Sequence, residues 1–196
     1  MNKAERTKQF IIEKTAPIFN KKGYVGTSMV DLTNATGLTK GAIYGNFADK
    51  EEVAAAAFEY NAKKIIVALN KEVDQYKHAK DKLIAYINVY KSLTNEMCER
   101  GGCPFMNMAV DTDDTQALLF AKVFAKFKNW RQRIKDILVI GKENNEINQN
   151  INEDEFADYF IALVEGSILL SKTLNDNAIM NSNLNILKQK IIEISI

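Results

Sequence analysis

The run Thr27-Ser28-Met29-Val30-Asp31-Leu32-Thr33-Asn34-Ala35-Thr36-Gly37-Leu38-Thr39-Lys40-Gly41-Ala42-Ile43-Tyr44 carries the most specific chemical pattern in the chain. Ser28-x-x-Asp31 has the form of a capping box, in which each side chain satisfies an amide at the start of a helix. Thr39 offers a second cap a short distance on. Between them Gly37 can take the positive φ of a tight turn. Two short helices joined by such a turn make a helix-turn-helix. Val30, Leu32, Ala35, Leu38, Ile43 and Phe47 are spaced to pack the pair on a neighbouring helix, leaving Thr27, Ser28, Thr39, Lys40, Gly41, Tyr44, Asn46 and Lys50 for solvent. That remainder is short, polar and cationic, which suits phosphate oxygens and base edges in a major groove entered by the second helix. Lys40 can donate to guanine O6 and N7, and Gly41 leaves room for close approach.

The rest of the chain reads as helices that would hold this motif. Apolar spacing is helical nearly throughout, and no run alternates with period two for long enough to make a strand. A first helix is expected from Ala4 to Lys21, with Phe10, Ile11, Thr15, Ile18 and Phe19 on one face, a kink at Pro17 and a stop at Lys22-Gly23. The two short helices follow. Asp49-x-x-Glu52 opens a long helix from Lys50 to about Tyr76. Others are expected at Ala79–Cys98, from Pro104 to Val110, from Thr115 to Asn144, after the cap Asn152 to Leu174, and from Ala178 to Ile196. That makes nine, an all-α chain. The boundary between residues 1–48 and residues 49–196 is the expected division into domains.

Charge is uneven along the chain although the net value is only +1: residues 1–50 sum to +4 and the remainder to −3. The positive share falls on the segment with the motif, as a polyanionic partner would favour. No apolar stretch approaches the ~20 residues that span a bilayer, and no secretory signal pattern opens the chain, so a cytoplasmic protein is expected without a membrane partner. His78 stands alone, no Gly-rich phosphate loop is present, and no acids and bases cluster at catalytic spacing; neither metal, cofactor nor enzyme activity is expected. Cys98 and Cys103 flank Arg100, a cation that can lower a thiol pKa, but a small buried residue at Cys103 fits as well.

Phe19-x-x-x-Gly23-Tyr24-x-x-Thr27-Ser28-x-x-Asp31-Leu32-x-x-Ala35-x-Gly37-Leu38-Thr39-Lys40-Gly41-x-Ile43-Tyr44-x-x-Phe47-x-x-Lys50-Glu51-Glu52-Val53 closely resembles the N-terminal pattern of the TetR family of one-component repressors. Gly102-Cys103-Pro104, the loop around Ile147 and Glu165-Gly166 resemble some members more loosely. The resemblance implies a three-helix DNA-binding unit followed by a six-helix unit for effector binding and dimerisation. It places Thr27 and Ser28 at phosphates, Thr39, Lys40 and Gly41 at bases, and Tyr44 and Lys50 at further phosphates. Gly45 and Asn46 depart from the aromatic and His common in relatives, which implies a leaner DNA footprint.

The last two helices are apolar on more than one stripe, and a second apolar face needs something to cover it. An intrachain core would do this; the resemblance implies instead a two-fold four-helix bundle with Phe160, Leu163, Gly166, Ser167, Leu170 and Leu187 at the homodimer interface. Between them and the motif, aromatic residues are dense, and Tyr86, Tyr90, Phe124 and Trp130 are the candidates for a small-molecule effector pocket. The function expected is a repressor released from a palindromic operator in double-stranded DNA by an effector. The rival is a constitutive DNA-organising helix-turn-helix protein that has no effector.

Overall fold

A computed structural model describes residues 1–196. The chain is all-helical, with nine helices: α1 (Lys3–Lys22), α2 (Met29–Thr36), α3 (Lys40–Tyr44), α4 (Lys50–Val73), α5 (Ala79–Glu99), α6 (Pro104–Thr112), α7 (Ala117–Glu143), α8 (Glu153–Thr173) and α9 (Asn177–Ile194). They form two compact units, Met1–Lys64 with Arg100–Phe124, and Ile65–Glu99 with Ala125–Ile196. No helix is long and apolar enough to cross a membrane.

In the first unit, α1 starts on a capping box: Asn2 Oδ1 accepts from the Glu5 amide at 2.9 Å while Glu5 returns to the Asn2 amide at 2.9 Å. It runs unbroken through Pro17 and stops at Gly23, whose φ of 72° directs the Gly23 amide to Phe19 O at 2.9 Å. Ile11, Thr15, Ala16 and Phe19 form its buried face. Phe10, expected on that face, is 39% exposed, with the Lys14 ammonium 5.8 Å from its ring centroid. α2 packs on α1 through the fully buried Leu32, and Ile43 and Phe47 complete this small core. Val30 does not join it and is 65% exposed. The reason is rotational: two residues before Leu32 is about 200° around the helix.

α6 also packs on α1, and its side chains hold the end of α1 and the loop that follows. Asn107 Nδ2 donates to Asn20 O and to Gly101 O, both at 2.9 Å, and Asn20 Nδ2 donates to Arg100 O at 2.7 Å. Gly101, at φ 104°, is required there, since a Cβ would come within 3.0 Å of Asn20 O. Asp111 Oδ2 accepts the Tyr24 amide.

The second unit is built on the mutual packing of α5, α8 and α9. Leu83, Ile87, Phe160, Val164, Leu184, Leu187 and Ile191 fill its core. α4 ends at Val73 and not at Tyr76, because Asp74-Gln75-Tyr76 turns back through Gln75 N to Glu72 O and Tyr76 N to Val73 O, each 3.3 Å. The loop after α7 pairs with the end of α9 by the Ile147–Ser195 bridge, and Asn148 N reaches Ile194 O at 2.9 Å.

Candidate nucleic-acid interface

The motif's local chemistry folds it. Asp31 N meets Ser28 Oγ at 3.2 Å and Ser28 N meets Asp31 Oδ2 at 2.9 Å, completing the capping box of α2. Lys22 Nζ adds an ion pair to Asp31 Oδ1 at 2.6 Å. The hydrogen bond from Lys22, helped by Ser28, holds the Asp31 carboxyl down at about 2. Gly37 ends α2 in the left-handed conformation, φ 68° and ψ 9°, and donates to Thr33 O at 2.8 Å. Thr39 Oγ1 then caps α3 by accepting from Ala42 N at 3.2 Å. Glu52 reaches back one residue farther than its spacing suggests, to Ala48 N at 2.7 Å, while Asp49 Oδ1 accepts from Glu52 N at 2.8 Å.

The eight candidate DNA residues separate into two groups. Ser28, Thr39, Lys40 and Gly41 are exposed, and Tyr44 and Asn46 are half-exposed beside them. The Lys40 ammonium lies 5.7 Å from the Tyr44 ring centroid. The backbone of Gly41 is helical, and a Cβ there would meet nothing nearer than Thr39 Oγ1 at 4.0 Å, so the space in front of it is open. Asn46 Nδ2 donates to Ala42 O at 2.9 Å. Thr27 and Lys50 face inward. Thr27 is buried and its hydroxyl donates to Gly23 O at 2.5 Å. Lys50 Nζ donates to Tyr24 O at 2.9 Å and to Thr27 O at 3.0 Å.

The aromatic candidates divide likewise. In the second unit Tyr86 packs edge-on to Phe160 at 5.9 Å, and Tyr90 stacks on Trp130 at 5.6 Å, which in turn stacks on Phe127 at 6.2 Å. Burial pushes the Tyr86 hydroxyl up to about 12, against the opposing pull of Arg133. Arg133 lies 5.9 Å over the Tyr86 ring and is anchored to Asp74 at 2.7 Å and to Asn70. Phe124 belongs to the first unit, is 59% exposed and lies beside Phe120. Glu165, noted in the sequence only as part of the looser Glu165-Gly166 resemblance, is a buried acid on α8. Burial raises the Cys98 thiol, opposite to what a reactive thiolate needs.

On α8 and α9, Phe160, Ser167 and Leu187 are fully buried within one chain. Leu163 and Gly166 are half-exposed, Leu170 is exposed, and a Cβ on Gly166 would meet nothing within 4 Å. Tyr159, Leu169 and Leu174 extend this open apolar face along α8.

A capped helix-turn-helix with a bare cationic α3 on an all-helical frame defines a DNA-binding regulator. Residues 11–57 match the family described as bacterial regulatory proteins, tetR family, and residues 79–187 match the tetracyclin repressor-like C-terminal domain. The chain is similar to a TetR-family transcriptional regulator from Cytophaga hutchinsonii, at 38% identity and TM-score 0.90, over 100% of this chain and 98% of that one. A TetR transcriptional regulator from Chloroflexus aurantiacus J-10-FL is 33% identical with TM-score 0.92 over the same shares. The HTH-type transcriptional repressor DhaR of Mycobacterium sp. (strain GP1) is 22% identical over 165 residues, 84% of this chain and 82% of its own length. The chain belongs to the TetR family of transcriptional regulators and is a DNA-binding transcription factor, not an enzyme.

Proposed function

We propose that the protein is a repressor that binds a palindromic operator as a homodimer and leaves it when a small molecule binds in the C-terminal part of the chain. Residues 1–48 read the DNA, and residues 49–196 dimerise and hold the effector. The observation that carries this reading is the bare start of α3, where Thr39, Lys40 and Gly41 are all exposed and Gly41 has open space in front of it. Lys40 donates to a guanine edge, Ser28 and Tyr44 meet phosphates, and Asn46 offers a hydrogen bond nearby. One half-site per protomer makes the operator palindromic.

The open face of α8 (Leu163, Gly166 and Leu170, with Tyr159 and Leu169 beside them) supports association with a second copy. Gly166 allows two helix axes to approach closely there. The stacked Tyr90–Trp130–Phe127 group and Tyr86 favour an effector with a flat apolar body. By linkage, such an effector weakens DNA binding by the same factor as DNA weakens effector binding. A regulator of transcription acts where the chromosome is, in the bacterial cytoplasm.

Selection from a random duplex pool tests the DNA half of this reading. Recovery of palindromes bound by two protomers is expected, and recovery of unrelated sequences with equal affinity would refute operator recognition. A screen of aromatic small molecules on the recovered complex tests the rest. Compounds that raise the melting temperature of the free protein should release DNA. If stabilising compounds leave the complex intact, the protein is a constitutive DNA binder.

A further inference from the structure

Thr39, the cap of α3, and the three residues that follow it, Lys40, Gly41 and Ala42, are all exposed. What each can offer a base edge differs. Thr39 Oγ1 is engaged as the cap, accepting the Ala42 amide at 3.2 Å. Lys40 carries an ammonium, which donates and cannot accept. Gly41 has no side chain. Ala42 is the one whose outward group is apolar. Its amide is taken by Thr39, and its carbonyl oxygen accepts Asn46 Nδ2 at 2.9 Å. Both of its main-chain polar groups are thus satisfied locally, and a single methyl faces outward.

That methyl is not spent on the core. Ile43, the next residue, is fully buried and lies about 100° farther round the helix. Lys40 is two residues before Ala42, about 200° away, so the cation and the methyl stand on opposite flanks of α3 with Gly41 between them. A Cβ on Gly41 would meet nothing nearer than 4.0 Å, and this open space lets a groove floor approach both flanks. In the major groove the bases present acceptors, amino donors and one apolar group, the C5 methyl of thymine. A donor-only cation matches the acceptors of guanine. A methyl whose neighbouring polar groups are already bonded matches the thymine methyl. A base amino group set against it would lose its water without gaining a partner.

We infer that Ala42 is a specificity-determining residue: it selects a T·A pair in each half-site by contact with the thymine methyl, independently of the pair that Lys40 reads. The inference deepens the reading of α3 as the base-reading helix and rests on it. It also gives Asn46 a part to play, since its amide occupies the Ala42 carbonyl and leaves the methyl as the group presented.

The thymine methyl can be removed alone, because deoxyuridine pairs as thymine does and lacks only that group. A palindrome would be selected from a random duplex pool with the full-length protein, and each thymine on either strand of one half-site replaced in turn by deoxyuridine. Gel-shift titration should find a position at which the replacement weakens binding by about fourfold, the effect of one buried methyl group. In Ala42→Gly, thymine and deoxyuridine at that position should bind equally, with affinity for a random-sequence duplex unchanged. Lys40→Ala should keep the fourfold difference. Glycine weakens a helix, so Ala42→Ser serves as a second variant; on reselection it should no longer favour thymine there. A half-site without thymine, or deoxyuridine without effect at every position, overturns the inference and leaves operator recognition standing. So does a penalty that survives in Ala42→Gly, or thymine chosen again by Ala42→Ser, since either assigns the methyl contact to another residue. Failure of the unaltered protein to enrich any sequence sinks operator recognition itself, and this inference with it.

Discussion

The start of α3 and the outer face of α8 are both left open to solvent, in opposite chemical terms. Around α3 the exposed groups are Thr39, Lys40, Gly41 and the Tyr44 edge, polar or absent side chains arranged about one cation. Along α8 they are Tyr159, Leu169, Leu170 and Leu174 around a glycine with free space above it. Each helix has already satisfied its own core: Ile43 on α3 is fully buried, and so are Phe160 and Val164 on α8. What remains outside is therefore unused by the fold and describes a partner. A polyanion with readable edges suits the first face, and a matching apolar surface suits the second.

The contrast breaks first, and most heavily, at Gly166. Gly166→Arg leaves one chain unstrained, since nothing lies within 4 Å of a Cβ there. It should nonetheless raise the dimer dissociation constant by about a hundredfold or more by placing a charge in an apolar contact. Sedimentation equilibrium measures this, with unchanged helical circular dichroism as the control; undisturbed association would remove α8 from the interface. Lys40→Ala acts on the other face alone. It should cost about 1–3 kcal/mol of specific affinity on a selected palindrome and leave the sedimentation behaviour unchanged.

Acid provides a third, smaller handle, confined to the α2 cap. Hydrogen bonds from Lys22 and Ser28 hold the Asp31 carboxyl at about 2 in the folded protein, below its ordinary 3.8. A depressed carboxyl contributes stability above its unfolded pKa and loses it as pH falls through the folded one. Thermal unfolding between pH 6 and pH 2 should therefore show Asp31→Asn less stable at the upper end, with the two curves converging toward about 2. Parallel curves would mean that the cap does not report on folding. The smallest effect belongs to Gly45. Its φ of −72° is ordinary, and a Cβ would lie 3.4 Å from Gly41 O. Gly45→Ala should stabilise the protein by about 0.4–1 kcal/mol through the unfolded chain and leave DNA affinity unaltered. A loss of affinity would show that the leaner footprint depends on that glycine.

The capped elements were legible in the sequence because their information is local. Ser28–Asp31, Gly37, Thr39 and Asn152 each act within three or four residues, and the structure has them in these roles. Nine helices followed from the same signals and from apolar periodicity. What could not be read is tertiary. Asn107 and Asp111 lie 87 residues from the Asn20 and Tyr24 groups they bond, with no pattern to announce the pairing. Val30 and Phe10 were expected inside on spacing alone, and both lie outside, Val30 about 200° around α2 from the buried Leu32. The inward turn of Thr27 and Lys50 is of the same kind. Their residue types suit phosphate, and only the placement of Gly23 O, Tyr24 O and Thr27 O shows where their donors go.

The first unit is discontinuous, joining residues 1–64 to residues 100–124. During synthesis α1, α2 and α3 emerge well before α6, so the loop at Tyr24 waits for Asp111 while the intervening chain is made. From residue 24 to residue 111, that interval is about 4–17 s at ordinary elongation rates. Until then the loop lacks its bond to Asp111, and a gene fragment ending after Tyr44 would also lack those from Lys50. The unit that carries the helix-turn-helix is thus the first to be begun, yet it is completed only when residues from the middle of the message arrive.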